Sequence, residues 1–260
     1  TPYTILVVDD NPDMTDFLKR TFEGYFKRII IAGDGGEALQ LVRSHVPDII
    51  VSDVMMPRMN GYKLCKTIKE NINISHIPVI LLTARDDRQS QISGYKNGAD
   101  GYLSKPFEVE MLMELIRNRL KNREYTKKRY LNAGLIPTPE ESTISLTDET
   151  FLIKLNSIIQ ENIENSNLGI QFICQEVGLG RSSLYNKLKA LTGMGANEYI
   201  SKLRIEKAIT LISGTDMPFS EIAEKTGFTT PSYFSTAFKQ YTGETPSQYK
   251  ERKKKGLAGK

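Results

Sequence analysis

Four short apolar runs in the first half of the chain each stop at a polar residue with chemistry to offer. "ILVVDD" ends at Asp9 and Asp10, "IIVSD" at Asp53, "VILLT" at Thr83 and "GYLSK" at Lys105. Such runs, separated by stretches with helical spacing, predict buried parallel strands alternating with helices. A chain of this pattern folds as an α/β doubly wound parallel sheet, and its ligands bind beyond the carboxyl ends of the strands. All five polar residues are therefore expected at one edge. Three carboxylates crowded there repel one another and raise their own pKa values unless a cation sits among them, and hard oxygen ligands suit Mg²⁺. Lys105 can bind an oxygen of an incoming phosphoryl group and Thr83 can donate to another, which leaves one carboxylate to attack phosphorus.

The second half has a different pattern and repeats itself. At an offset of 50, "RSSLYNKLKALTGMGANEY" from Arg181 lies against "PSYFSTAFKQYTGETPSQY" from Pro231. Ser182/Ser232, Lys189/Lys239, Thr192/Thr242, Gly193/Gly243 and Tyr199/Tyr249 are identical. A shared period means a duplicated supersecondary unit. Leu184, Leu188 and Leu191 in one copy, and Phe234, Phe238 and Tyr241 in the other, recur at helical spacing and predict one core face each. "IQFICQEVGLG" and "FSEIAEKTGFTT" place another helix and a glycine turn before each copy, which is the helix-turn-helix pattern. Its second helix fits a major groove about 12 Å wide. Between the copies, Ala196 to Ile212 reads as one connecting helix that packs on both.

Composition and charge sharpen this picture. The 260 residues suffice for two cores. Residues 1–122 hold 16 Lys and Arg against 16 Asp and Glu, whereas residues 123–260 hold 19 against 15, so the net charge of +4 belongs to the second half and points to an anionic partner. Cys65 and Cys174 offer neither a disulfide framework nor metal-ligand spacing, which fits a reducing cytosol. No apolar stretch approaches the roughly 20 residues that cross a bilayer. Pro137 and Pro139 break the stretch from Arg123 to Leu146, which reads as a linker. A helix is expected to start at Thr147 as its cap, with Phe151, Leu152, Leu155, Ile158, Ile159 and Ile163 forming a stripe that packs on the second core.

Residues 3–122 resemble the receiver domain of two-component response regulators. Besides the strand ends, the matches are "MMP" with "NGY", the Thr83-Ala84 pair, and the "KPF" of Lys105, Pro106 and Phe107. The resemblance implies that Asp53 accepts the phosphoryl group. Asp10 binds Mg²⁺ directly, Asp9 does so directly or through water, and Met55 lends its backbone carbonyl. Thr83 and Tyr102 form the switch, with the altered surface around "RDDRQSQISGYKNGADGY". Gly101 after Asp100 departs from the winged-helix class, so the charged dimer interface of that class is not expected. Residues 151–252 resemble the AraC family's DNA-binding domain through "SSLYNKLKALTG", "LRIEKAITLI", "EIAEKTGF" and "SYFSTAFKQYTGETPSQY". By position, Arg181, Ser182, Tyr185, Asn186 and Lys189 face DNA from one recognition helix, and Ser232, Tyr233, Ser235, Thr236 and Lys239 from the other. Asn186 and Thr236 stand where that family often has Arg, and Gly180 replaces its usual Ser cap.

The expected organisation is a receiver over 1–122, a linker over 123–146, an AraC-type domain over 147–253 and a basic tail over 254–260. The expected function is phosphorylation-dependent, sequence-specific transcription regulation, with a histidine kinase as phosphodonor, double-stranded DNA as target, a homodimer on activation and RNA polymerase as a further partner. No second catalytic cluster accompanies the strand-end residues, so the chain reads as a phosphoacceptor rather than an enzyme. One alternative is a stand-alone phosphotransferase. A second rests on "SHIPVILLTA" and "SSLYNKLKALTG" and on the absence of an initiating Met. These resemble part of a hybrid two-component system with which gut bacteria sense carbohydrates, whose home would be the inner membrane rather than the free cytoplasm.

Overall fold

Every second residue of the strands turns to one side, so each strand can serve two apolar layers at once. The computed structural model describes residues 2–84, 98–132 and 145–258. Contacts divide the chain into two units, one holding 1–129 and the other 151–260. In the first unit the strands are β1 (Thr4–Val8), β2 (Arg28–Ala32), β3 (Ile49–Asp53), β4 (Val79–Ala84) and β5 (Gly101–Lys105). They pair in parallel in the order β2-β1-β3-β4-β5. Leu6, Val8, Ile50 and Leu81 face one layer, where Ala38 and Val42 of α2 (Gly35–His45) and Leu64, Cys65 and Ile68 of α3 (Gly61–Glu70) cover them. Ile5, Val7, Val51, Ile80 and Leu82 face the other, beneath Leu18 and Phe22 of α1 (Pro12–Phe22) and Leu112, Ile116 and Leu120 of α4 (Val109–Asn132). This is the doubly wound sheet expected from the runs. Both cysteines are buried thiols, and burial pushes the Cys65 thiol up to about 12, which keeps it unreactive.

Local chemistry starts the helices where the strands end. Asn11 caps α1 by accepting from the Asp13 amide, with Pro12 in the first turn. Asp34 caps α2 through the Gly36 and Glu37 amides, and Asn60 caps α3 through the Lys63 amide. α4 runs on to Asn132, past the expected receiver boundary at 122. Arg123 explains the extension, since its guanidinium donates to the Asp48 carbonyl at 3.1 Å and meets the Asp48 carboxylate at 3.3 Å. The first part of the expected linker is thus helical, and the two prolines lie outside the described residues.

The second unit holds only helices among the described residues. They are α5 (Leu146–Glu161), whose first turn sorts with the first unit, then α6 (Ile170–Val177), α7 (Arg181–Thr192), α8 (Ala196–Gly214), α9 (Phe219–Lys225), α10 (Pro231–Thr242) and α11 (Pro246–Ala258). Ser145, not Thr147, caps α5, because its hydroxyl accepts from the Asp148 amide while the Thr147 hydroxyl donates to the Lys69 carbonyl. All six apolar residues of the α5 stripe are buried. The repeat appears as two helix pairs, α6 with α7 and α9 with α10. Gly193 and Gly243 end the second helix of each pair in left-handed conformation, donating to Lys189 and Lys239 carbonyls. α8 joins the pairs as expected, and its Ile205, Ala208 and Ile212 share a core with Phe234 and Phe238.

Gly61 holds the chain close to the end of β3, since a Cβ there would lie 2.2 Å from the Asp53 carbonyl oxygen. Gly61→Ala should therefore destabilise the first unit by about 1–3 kcal/mol, as overpacking does. Chemical denaturation of the variant beside the parent measures this, and an unchanged midpoint would contradict the close approach.

Candidate functional sites

Strand register decides which side chains meet at the carboxyl edge of the sheet. Val8 pairs with Ser52, Asp53 with Leu82, Thr83 with Ser104 and Ala84 with Lys105. Asp9, Asp53, Thr83 and Lys105 therefore end their strands side by side. Lys105 Nζ sits between two carboxylates, 2.9 Å from Asp9 Oδ2 and 2.5 Å from Asp53 Oδ1. The other oxygen of each is also engaged: Asp53 Oδ2 accepts from the Met55 amide at 2.7 Å and Asp9 Oδ1 from the Asn11 amide at 2.9 Å. Burial pushes the Asp53 carboxyl up from its ordinary range, against the lowering effect of Lys105. Burial works against the Lys105 charge, but its hydrogen bonds to Asp53 and Asp9 raise it, so the ammonium stays charged.

Thr83 is 1% exposed, and its Oγ1 has no hydrogen-bond partner among the described residues. A buried hydroxyl without a partner is costly, and the cost persists where a ligand completes the site. Asp10 remains exposed beside Asp9. Among the described residues no three metal-binding side chains form a chelating group. Lys105, lying between two of the carboxylates, supplies the positive charge that a cation would bring. Tyr102 is half-buried against the layer under α2 and α3. Of the surface expected to change around it, residues 85–97 lie outside the described residues.

In the second unit, the residues expected to face DNA lie on the open sides of α7 and α10. Arg181, Ser182, Tyr185 and Lys189 are exposed and Asn186 half-buried, while Ser232, Tyr233, Thr236 and Lys239 are exposed and Ser235 half-buried. Leu184, Leu188, Phe234 and Phe238 occupy the opposite, buried faces. Gly180 caps α7 without a side-chain bond, whereas the Thr230 hydroxyl caps α10. The Ser235 and Thr236 hydroxyls donate to carbonyls of their own helix, which leaves their lone pairs to meet a partner.

Residues 5–117 match the family model described as a response regulator receiver domain, and residues 173–252 match the one described as a helix-turn-helix domain. The response regulator MprA of Mycobacterium sp. strain KMS is 36% identical over 165 residues, which cover 58% of this chain and 70% of that protein. The chain belongs to the response regulator family. Histidine kinase P4 of Formosa agariphila is 41% identical over 249 residues, 96% of this chain but 18% of that protein. The DNA-binding response regulator MtrA of Mycolicibacterium smegmatis is 35% identical over 130 residues, 50% of this chain and 56% of that protein. The chain thus spans under a fifth of one relative and little more than half of the other. Both resemblances read from the sequence, to receivers and to AraC-type helix-turn-helix domains, are borne out.

The fold of this response regulator draws Asp9, Asp53 and Lys105 into contact, with Thr83 at the neighbouring strand end and Asp10 at the rim. Sequence reasoning missed several polar contacts that shape the second unit. Lys187, in the middle of α7, is fully buried, with its ammonium 5.1 Å from the centre of the Phe151 ring. Arg204 of α8 donates to the Asn165 carbonyl at 2.7 Å and lies over the Phe228 ring. Tyr241, expected on the core face, is 39% exposed and donates to Glu206 at 3.1 Å. No periodic signal marks such pairs.

Thr83→Val removes the unpartnered hydroxyl while nearly keeping its shape. It should stabilise the first unit of the unphosphorylated protein by about 1 kcal/mol. Urea unfolding reads this directly, and a lower midpoint would mean the hydroxyl is satisfied.

Proposed function

We propose that this response regulator is a phosphorylation-dependent, sequence-specific transcription regulator in which Asp53 accepts a phosphoryl group from a histidine kinase. One observation carries the reading: Lys105 bridges Asp9 and Asp53 at a strand edge where the buried Thr83 hydroxyl has no partner among the described residues. Asp53 Oδ attacks the phosphorus of a phosphohistidine, the phosphorus–nitrogen bond breaks, and the imidazole leaves. Asp9, Asp10, Asp53 and the Met55 carbonyl are the oxygen donors that would hold Mg²⁺. When bound, Mg²⁺ offsets the negative charge of the carboxylates and phosphoryl oxygens. Lys105 holds one phosphoryl oxygen of the product and Thr83 donates to another, which relieves its unmet hydrogen bond. Moving Thr83 opens space that Tyr102 fills, and this is the switch.

The two helix-turn-helix pairs read DNA. Arg181, Tyr185, Asn186 and Lys189 meet one major groove, and Tyr233, Thr236 and Lys239 the next, about 34 Å along the same face. Phosphorylation acts by pairing receivers, so that a DNA-binding domain bound at one half-site raises the effective concentration of its neighbour at the adjoining one. RNA polymerase is the downstream partner. No described helix is long and apolar enough to cross a membrane. A second reading, that the chain is part of a larger hybrid kinase at the inner membrane, is favoured by the match of 96% of it to Histidine kinase P4. The roles of the residues are the same under both.

Incubation with acetyl phosphate and Mg²⁺ should add one phosphate per chain, and a chelator should abolish the labelling. Asp53→Asn should take none. Labelling of that variant equal to the parent's would overturn the assignment.

A further inference from the structure

The two recognition helices are not held in the same way, although the sequence around them is repeated. In the first copy, Leu184, Leu188 and Leu191 are all buried, and Lys187 is buried beside them with its ammonium over the Phe151 ring. In the second, Phe234 and Phe238 are buried against α8, but the third position is Tyr241. Phe234 and Phe238 meet each other, Phe228 and Tyr249 in tilted or edge-on pairs, which hold the body of α10, and Tyr241 is the contact nearest its C-terminal end. Beside these contacts, α8 and α10 part to leave a groove of about 790 Å³ lined by Asn197, Ser201, Lys202, Tyr233, Thr236 and Gln240. At its end, the Tyr241 hydroxyl donates to Glu206 Oε1 at 3.1 Å, and Lys202 Nζ lies 3.7 Å from the same oxygen.

Glu206 is placed to anchor such a bond, because its neighbours on α8 are tied to another segment. Two residues earlier, Arg204 is tied to the Asn165 carbonyl. One residue later, Lys207 pairs with Glu164 at 3.2 Å. α8 is thereby fixed to the segment that follows α5, and Tyr241 reaches the fixed point from the far end of α10. Partial burial holds the Glu206 carboxyl above its ordinary range and the Lys202 ammonium below its own, so the pair sits where its interaction is only partly screened by water.

We propose that Tyr241 and Glu206 are positioning residues that set the angle of α10 to α8, and through it the base-pair spacing the protein accepts between its two major-groove boxes. This rests on the reading that both helix pairs engage DNA. Each base pair added between the boxes moves the second by about 3.4 Å and about 35° around the duplex, so a fixed angle selects one spacing and a loose one tolerates neighbours.

The test uses the full chain. A duplex is first selected from a random pool by the parent protein, and its two protected grooves are mapped. Versions with one base pair inserted or deleted between them are then compared. The parent should discriminate strongly against both. In Tyr241→Phe the discrimination should shrink about fivefold, the weight of one hydrogen bond, because affinity for the shifted duplexes falls less than in the parent. Glu206→Gln, which keeps an acceptor oxygen, should retain most of the parent's discrimination, and Glu206→Leu should lose it as Tyr241→Phe does. A uniform fall in affinity for every spacing, with the discrimination ratio intact, would reduce Tyr241 to a structural role and overturn the proposal. Protection of one groove only would instead overturn the two-box reading and the proposal with it.

Discussion

Lys105 places one ammonium between two carboxylates, Asp9 and Asp53, and the arrangement of the first unit makes that meeting possible. The three groups come from three strands, and they converge because parallel strands in register end at a common edge. Shifting β1 or β3 by one residue would turn Asp9 or Asp53 to the other face of the sheet. The two apolar layers oppose such a slip, since every alternate residue of the strands is already committed to one of them. The site is therefore specified by the core. Its polar members contribute little to folding, and Thr83 works against it by burying a hydroxyl with no partner among the described residues. Residues that weaken the fold at a functional edge are where local rules are expected to yield to chemistry.

The second unit solves a different problem, which is to hold two helices at a defined separation. α8 is long enough, at 19 residues, to carry the core of one helix pair at its C-terminal half and to meet α5 near its start, where the Tyr199 hydroxyl donates to the buried Asn156 at 2.8 Å. Arg204 supports the same geometry from the middle of α8. Gly227 beside it accepts no side chain, because its φ is +70° and a Cβ there would lie 2.2 Å from the Ile163 carbonyl.

Asp9, Asp53, Thr83 and Lys105 are legible in the sequence because each closes an apolar run, and short runs alternating with helical stretches end at a common edge of a parallel sheet. The repeat was legible for a similar reason, since Gly193 and Gly243 mark identical helix ends. What stayed hidden are contacts between polar side chains distant in sequence. Nothing in "REYTKKRY" announces that Arg123 is bound to Asp48 and carries α4 past the expected boundary. Thr147 looks like a cap, but Ser145 takes that place because the Thr147 hydroxyl finds the Lys69 carbonyl. Lys187 is buried, with its ammonium over the ring of Phe151, 36 residues earlier in the chain, a contact that no periodicity marks. Tyr241 sits at core spacing, which predicts a place in the core, but its hydroxyl needs a partner and draws it toward Glu206. Hydrophobic periodicity reports which face is covered, and it is silent about which polar groups meet across that face.

If phosphorylation of Asp53 acts on DNA binding by pairing two chains, affinity and oligomeric state should change together. The phosphorylated and unmodified full chain would be titrated against duplexes carrying one half-site or two, with sedimentation velocity on the same samples. Pairing requires that phosphorylation bring two chains together and tighten binding to the paired half-sites, with little change at the single one. Equal tightening at the single half-site by a protein that stays monomeric would contradict it.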